Sequence, residues 1–178
     1  DSGVRFVDGE IGDFWRAMKK SGALANTVVV ILSDHGEELF ENGEPSHSSF
    51  YDHTARVPLM IFHPKLNRPL VVDRMISLVD VLPTLLAILR IPAPSQTQGH
   101  TPWAAKSEDV FGFALGNDYV REPNWKLIRL YDGFEELFYL PLDPTEHQNL
   151  IGFKNPIVDL AYRRLVEKRR MWRLEQSL

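Results

Sequence analysis

Residues 28–38 read VVVILSDHGEE, and this stretch decides the fold. It opens with an apolar, mostly β-branched run that is bounded by polar residues, which predicts a fully buried strand of a parallel sheet. The run ends at Asp34 and His35, and Gly36 follows, where we expect a sharp turn of the backbone. In open α/β sheets, ligands bind just beyond the carboxyl ends of the strands. A carboxylate and an imidazole at that point therefore predict a site for a metal ion or a phosphate-like group.

Composition narrows the class of protein. The chain has 178 residues, of which 44% are hydrophobic, enough for one domain or one domain with a small appendage. Its net charge of −4 argues against a nucleic-acid partner, which would need a basic surface. Basic residues cluster only at 163–173, where we expect a solvated helix face.

Three further features of the sequence concern cysteine chemistry, membrane-spanning helices and the start of the chain. The absence of cysteine excludes disulfides and thiolate metal sites. No apolar run approaches the roughly 18 residues of a transmembrane helix, so none is expected in this chain. The chain opens on Asp1 and Ser2, which we interpret as a processed chain or a piece of a longer one.

The first hundred residues alternate helix and strand patterns. Apolar residues recur at helical spacing before Gly22, a natural helix stop; they are Val7, Ile11, Phe14 and Met18. A strand is predicted over 27–33 and a second over 57–62, with Pro58 at its start. Leucines on one face predict a helix over 79–89. These elements predict an α/β core over 1–100.

The pattern changes after residues 91–99, a Pro/Ser/Gln stretch that is the best linker candidate. Short strands are predicted in a closely spaced series, at 110–115, 119–121, 125–131 and 136–140. Asp132 and Gly133 are a strong hairpin signal between the last two. Within residues 158–172, a set of mostly apolar residues recurs at heptad-like spacing, which predicts a final helix. We therefore predict a small antiparallel subdomain with a C-terminal helix over 101–178.

Asp34 and His35 are the first candidate metal ligands. A hard divalent cation favours the carboxylate, and Mn²⁺ or Zn²⁺ also accepts the imidazole. Two ligands do not complete a site, so the others must come from elsewhere. A turn with a capping carboxylate is the alternative interpretation of this pair.

His47 is the candidate catalytic residue, because its loop, residues 44–49, could fold back over the strand end. A protonated imidazole there would stabilise an anionic oxygen or protonate a leaving group. An exposed loop histidine is the alternative. For His53, which follows Asp52, we favour a structural role.

A nucleophile is not visible in the sequence. The chain has no Gly-x-Ser-x-Gly elbow and no cysteine for a Cys-His pair. It also lacks a Gly-rich phosphate loop of the Walker or dinucleotide type.

Segments spread over almost the whole chain resemble, in the right order, motifs of the sulfatases, within the alkaline phosphatase superfamily. Residues 27–37 are similar to the second metal-binding motif of that family, and residues 8–12 to the helix that precedes it. Residues 47–59 resemble its segment that ends in Arg-Val-Pro-Leu. Residues 77–86, SLVDVLPTLL, match its Ser-x-Val-Asp-x-x-Pro-Thr-Leu-Leu helix, and residues 119–150 resemble its C-terminal subdomain.

The resemblance implies a site that this chain shares with an N-terminal part. Asp34 and His35 match the pair that holds one divalent cation together with two carboxylates from that part. Ca²⁺ is the ion expected first, with Mn²⁺ and Zn²⁺ as alternatives. His47 aligns with the Lys or His that contacts the sulfate. The nucleophile would be a formylglycine made from a Cys/Ser-x-Pro-x-Arg motif.

The departures from the family pattern are large. The formylglycine motif and the N-terminal strand with paired aspartates are both missing, so the chain resembles the C-terminal portion of a sulfatase and is expected to be inactive alone. The implied substrate is a small-molecule or glycan sulfate ester. His35 and His47 also occur in relatives that act on phosphorus esters, so a phosphodiesterase, a phosphonate monoester hydrolase or a phospho-group transferase is the alternative. A non-catalytic sulfatase-like binding fragment is another, and an uncovered sheet edge would favour self-association.

Overall fold

A computed structural model describes residues 2–41, 43, 45–47, 49–66, 68–104 and 109–176. Its helices are α1 (Ser2–Ser21), α2 (Asp52–Ala55), α3 (Val81–Leu89) and α4 (Pro156–Glu175), with short 3₁₀ helices at Ala23–Asn26 and Leu78–Asp80. Its strands are β1 (Val29–Leu32), β2 (Glu38–Leu39), β3 (Pro45–Ser46), β4 (Leu59–Phe62), β5 (Val110–Ala114), β6 (Asn117–Arg121), β7 (Trp125–Arg129) and β8 (Glu135–Tyr139). No helix among these residues combines the length and apolar character that crossing a bilayer requires.

The chain divides into two compact units. The first contains Asp1–Ser33 and Val57–Val71, and the second contains Asp34–Arg56 and Val72–Leu178. The domain boundary near residue 100 stays a prediction from the sequence.

The first unit contains α1 and the pair β1–β4. The two strands run antiparallel, with Val29 opposite Phe62 and Leu32 opposite Leu59. The predicted fully buried parallel strand is therefore wrong: β1 pairs antiparallel, and Leu32 is 44% exposed. An apolar β-branched run indicates a strand, but it carries no information on the direction of the neighbouring strand.

The apolar stripe of α1 differs from the predicted one. Ile11, Trp15 and Met18 are half-buried, whereas Val7 and Phe14 are exposed. The Trp15 ring meets the edge of Phe62 at a centroid distance of 4.8 Å. The helix ends before Gly22, whose φ of 78° is in the left-handed region, as the sequence predicted.

The second unit contains a four-stranded antiparallel sheet in the order β5-β6-β7-β8. The predicted β7–β8 hairpin is confirmed, and its turn contains Gly133 with a φ of 89°. Asn155 caps α4 by accepting a hydrogen bond from the Ile157 amide, and Pro156 occupies the first helical turn, where its missing N–H costs nothing.

Side chains alternate between the two faces of this sheet and bury both. One face packs on α4 through a cluster of fully buried residues: Val120, Leu127, Leu137, Val158 and Leu165. The other face packs on Phe50 and Tyr51 through Ile128, Phe138 and Leu140. Apart from Pro83 and Pro102, the buried apolar side chains of the described residues belong to this sheet and α4 or lie just after β8. Phe50 and Tyr51 are thus held against this sheet.

The basic residues of α4 are not simply a solvated face. Lys168 donates to Asp109 and Glu122, at 2.7 Å each, and Arg169 donates to Asp118 at 2.9 Å. Asp118 lies on β6, and Asp109 and Glu122 lie next to strand ends, so this part of the basic cluster holds the helix on the sheet. Composition alone did not indicate those partners.

Candidate active site

Asp34 and His35 follow β1 directly, in a turn that leaves both side chains on the surface. The His35 amide donates to Asp34 Oδ1 at 3.0 Å. His35 Nδ1 lies 2.9 Å from the Gly36 carbonyl oxygen, which can only accept, so Nδ1 carries the proton. In the neutral ring Nε2 therefore keeps the lone pair that a metal ion would use. The Gly36 carbonyl and, next, the Asp34 carboxylate raise the pKa of His35.

The two donors fit one divalent cation as part of its ligand set. His35 Nε2 lies 3.7 Å from Asp34 Oδ2. Since metal–ligand bonds of about 2.0–2.6 Å are usual for these ligands, one ion can contact both atoms. Over the described ranges, no three His, Cys, Asp or Glu side chains converge as a metal-binding group. The chemistry of the pair suits a cation, and the pair alone does not complete its coordination.

Gly36 is required by a close approach between two backbone segments. Its amide donates to the Thr54 carbonyl at 2.7 Å. A Cβ added at residue 36 would overlap the His53 carbonyl oxygen. The φ of Gly36 lies outside the left-handed region, so the sharp turn expected from the sequence does not explain the glycine. Tight packing against α2 explains it instead.

His47 lies beside His35 because the intervening chain forms a small hairpin. Strands β2 and β3 pair with Glu38 opposite Ser46, which returns the chain towards its starting point. The rings of His35 and His47 stack, with centroids 5.2 Å apart and planes 23° from parallel. The structure thus brings together the three residues that the sequence singled out, while their roles stay predictions.

Glu37 is a neighbour of the site to which the sequence argument gave no role. Its Oε2 lies 3.8 Å from His47 Nδ1, within ion-pair distance, and both side chains are exposed. The sequence does show acidic residues after Gly36, but the contact between Glu37 and His47 depends on the β2–β3 pairing.

His53 has surroundings that fit the structural role favoured from the sequence. Its Nε2 lies 3.5 Å from Oε1 of the buried Glu38. Its ring also packs near Tyr51, with centroids 5.6 Å apart.

The chain is similar to a known protein family and to curated proteins. The family model named Sulfatase matches residues 1–91. Arylsulfatase K of Bos taurus is 30% identical over 167 residues, which span 81% of this chain and 31% of that protein. The chain thus spans about a third of the length of the curated relatives it matches.

Two solved structures share the fold. One is BT4656 in complex with its substrate D-glucosamine-2-N,6-O-disulfate, with a TM-score of 0.75 and 24% identity over 93% of this chain and 37% of that one. The other is the phosphonate monoester hydrolase of Agrobacterium radiobacter, with a TM-score of 0.75 and 23% identity over 96% and 39%. These likenesses confirm the predicted fold class, an α/β sulfatase-like arrangement with an antiparallel sheet and a C-terminal helix. Since the family model also matches half of the residues, the chain belongs to the sulfatase family.

Proposed function

We propose that the protein containing this chain hydrolyses sulfate esters with a bound divalent cation, and that this chain supplies part of the cation site and one catalytic side chain. The observation that carries the proposal is the juxtaposition of Asp34, His35 and His47 in a chain of the sulfatase family. The whole protein's activity is inferred, because the chain covers about a third of its relatives.

Asp34 and His35 would hold the cation, through Oδ2 and Nε2. Ca²⁺ is expected first because hard cations prefer carboxylate oxygen, and Mn²⁺ or Zn²⁺ would better tolerate the imidazole. When bound, the cation supplies positive charge that stabilises developing negative charge on the reacting group. The Gly36 carbonyl keeps the His35 ring in the tautomer that presents Nε2. The remaining ligands are expected on the N-terminal part of the parent protein.

His47 would contact the transferred sulfate or the leaving oxygen. In its protonated form the imidazole donates to an anionic oxygen, and Oε2 of Glu37 lies 3.8 Å from its Nδ1. Removal of one such donor typically costs about 10²–10³ in kcat. His47 is therefore the catalytic residue of this chain.

The nucleophile is expected outside this chain, as a formylglycine. The chain has no cysteine from which a formylglycine could be made, and no Ser-x-Pro-x-Arg motif. We therefore expect the isolated 178-residue chain to be inactive.

The substrate class is a small-molecule or glycan sulfate ester. One support is that BT4656, with the same fold, was solved with a sulfated glucosamine as its substrate. Another is the sequence similarity to arylsulfatase K.

The activity is tested on the parent protein with an aryl sulfate. His47→Ala should lower kcat about 100-fold or more, as for the loss of one stabilising donor. His147→Ala, at an exposed histidine outside the candidate site, is the matched control and should keep wild-type kcat. Wild-type turnover in His47→Ala would remove this residue from the mechanism.

Hydrolysis of a phosphorus ester is the second candidate, favoured by the equal TM-score of 0.75 to the phosphonate monoester hydrolase. An imidazole in place of a lysine at position 47 suits either anion. Comparison of kcat/KM for an aryl sulfate and an aryl phosphonate monoester decides between the two. A ratio above about ten in favour of the phosphonate would replace the sulfatase assignment.

A non-catalytic role as a sulfatase-like binding fragment is the remaining alternative. Among the described strands, β1 and β4 pair only with each other, so each leaves one open edge. Open edges favour self-association of the isolated chain. Light scattering of the isolated chain should show oligomers at micromolar concentration, and a stable monomer would contradict this expectation.

A further inference from the structure

Lys126 is a fully buried cation in the centre of the second unit. Its side chain has 0% exposure and lies on β7, on the sheet face that packs against Phe50 and Tyr51. Its Nζ donates to Asp52 Oδ1 at 2.8 Å and lies 2.8 Å from Glu146 Oε1. A buried ammonium is costly unless it is paired, so the two carboxylates fix where Nζ lies.

The same two carboxylates hold the start of α2. The Asp52 amide donates to Glu146 Oε2, so Glu146 joins Lys126 to the helix backbone with its two oxygens. Arg121 Nη2 lies 3.3 Å from Asp52 Oδ2 and adds a second cation. Burial alone would raise the pKa of Asp52, but Lys126 and then Arg121 lower it below its usual value, so this carboxyl is charged at neutral pH.

The other end of α2 holds the candidate active site. The Thr54 carbonyl accepts from the Gly36 amide at 2.7 Å, and the His53 carbonyl blocks any Cβ at residue 36. Thr54 is itself buried and donates to the Ser49 carbonyl at 2.8 Å. Gly36 is adjacent to His35, and its carbonyl oxygen accepts a hydrogen bond from His35 Nδ1–H. An unbroken series of contacts thus joins Lys126 to the metal-ligand candidates.

We propose that Lys126 is a positioning residue for the candidate active site: through Asp52 and Glu146 it fixes α2, and α2 fixes the backbone at Gly36 that orients His35. The inference rests on the proposed function, since positioning matters only if His35 acts. The link from Lys126 to Gly36 is a property of the structure, and it can be tested independently of any activity.

An apolar residue would bury the same surface at less electrostatic cost. Replacing a buried ion pair by well-packed apolar groups is often neutral or stabilising. A methionine at 126, however, has no donor with which to fix Asp52 and Glu146. The charge therefore specifies the location of α2 rather than adding stability alone.

The test is hydrogen exchange of the Gly36 amide in the parent protein, measured by mass spectrometry of peptides that span residue 36, together with the ring resonances of His35 and His47 in selectively labelled protein. Lys126→Met should speed Gly36 exchange at least tenfold beyond any change in the slowest-exchanging core amides, and should shift the His35 ring signals. Lys168→Met is the matched control, because Lys168 pairs with Asp109 and Glu122 on the α4 side of the sheet. It should leave Gly36 exchange and the His35 signals at their wild-type values once global stability is subtracted.

Asp52→Asn keeps the test decisive if Lys126→Met does not fold. It leaves the Lys126–Glu146 pair and the Glu146 bond to the α2 backbone intact and removes the Asp52 charge that pairs with Lys126 and Arg121, so a smaller acceleration at Gly36 in the same direction is expected. The proposal is overturned if Gly36 exchange in either folded variant follows global stability alone, as in Lys168→Met. Activity of the parent protein is a separate readout: a wild-type protein that hydrolyses no sulfate ester, with the Gly36 result as expected, would overturn the proposed function and leave the link in place.

Discussion

The sheet β5–β8 with α4 and the turn that carries Asp34 and His35 belong to one compact unit, yet they are built in opposite ways. In the sheet layer, charges are buried and paired, as with Lys126 at 0% exposure between two carboxylates. In the turn, the Asp34 side chain is 87% exposed and the His35 side chain 44%. The charges of the layer are paired within the protein, whereas the turn leaves the side chains of the candidate site exposed to solvent. The comparison teaches that substitutions in the layer should act on stability, and that substitutions in the exposed site should affect stability little.

The largest effect is expected in the sheet layer, from Leu165→Ala. Leu165 is 0% exposed in the cluster between α4 and the sheet, so the lost contacts and the cavity should cost about 2–5 kcal/mol in the free energy of unfolding. Urea denaturation measures it. Leu160→Ala on the same helix, at a side chain 66% exposed, should cost about 0.5 kcal/mol or less. Equal costs for the two would mean that α4 does not pack as described.

Gly36→Ala should have the second-largest effect, because Gly36 lies where the exposed turn contacts α2. The added Cβ would overlap the His53 carbonyl and must push α2 away, at a cost of about 1–3 kcal/mol. Gly133→Ala, with open space around its Cβ but a φ of 89°, serves as a reference for pure backbone strain. If the amide of residue 36 still exchanges slowly in Gly36→Ala, its hydrogen bond to Thr54 has been retained. That result would contradict the tight contact.

Glu122→Gln should cost about 1–2 kcal/mol at pH 7, since it weakens charge-assisted bonds with partly exposed partners. Burial alone would raise the pKa of Glu122, but Arg164 and then Lys168 lower it below its ordinary 4.5. A depressed carboxyl pKa gives stability that is present above the unfolded-state value and lost as the pH falls through the folded-state value. The gap between wild type and Glu122→Gln should therefore shrink below pH 4.5, in urea titrations at several pH values. A gap that stays constant to pH 2.5 would exclude an ionic origin.

The smallest effect on stability is expected in the site itself. His47→Ala should change the free energy of unfolding by about 0.5 kcal/mol or less, because the side chain is largely exposed. Thermal denaturation compares it with His147→Ala, an exposed histidine outside the site. A loss above 1.5 kcal/mol in His47→Ala alone would mean that the histidine is structural, against its proposed catalytic role.

The sequence predicted those parts of the fold that depend on short-range patterns. The β7–β8 hairpin follows from Asp132 and Gly133, and α4 from the heptad-like spacing over 158–172. The positions of Asp34, His35 and His47 in the family motifs also identified the candidate site.

The rest depends on contacts between residues that are distant in the chain. Lys126 and Asp52 are 74 positions apart, and no local pattern pairs them. The antiparallel direction of β1 was missed because an apolar run does not encode the direction of its neighbour. The contact of Glu37 with His47 depends on a two-residue strand pairing that the polar loop sequence does not indicate.

The central claim is that this chain contributes Asp34 and His35 to a divalent cation site. The most direct measurement is the metal content of the parent protein after dialysis, by plasma mass spectrometry, for the wild type, Asp34→Ala and a control, Asp73→Ala, at another exposed aspartate. The account predicts one equivalent of Ca²⁺, Mn²⁺ or Zn²⁺ in the wild type and in Asp73→Ala, and its loss in Asp34→Ala. An unchanged metal content in Asp34→Ala would contradict the account.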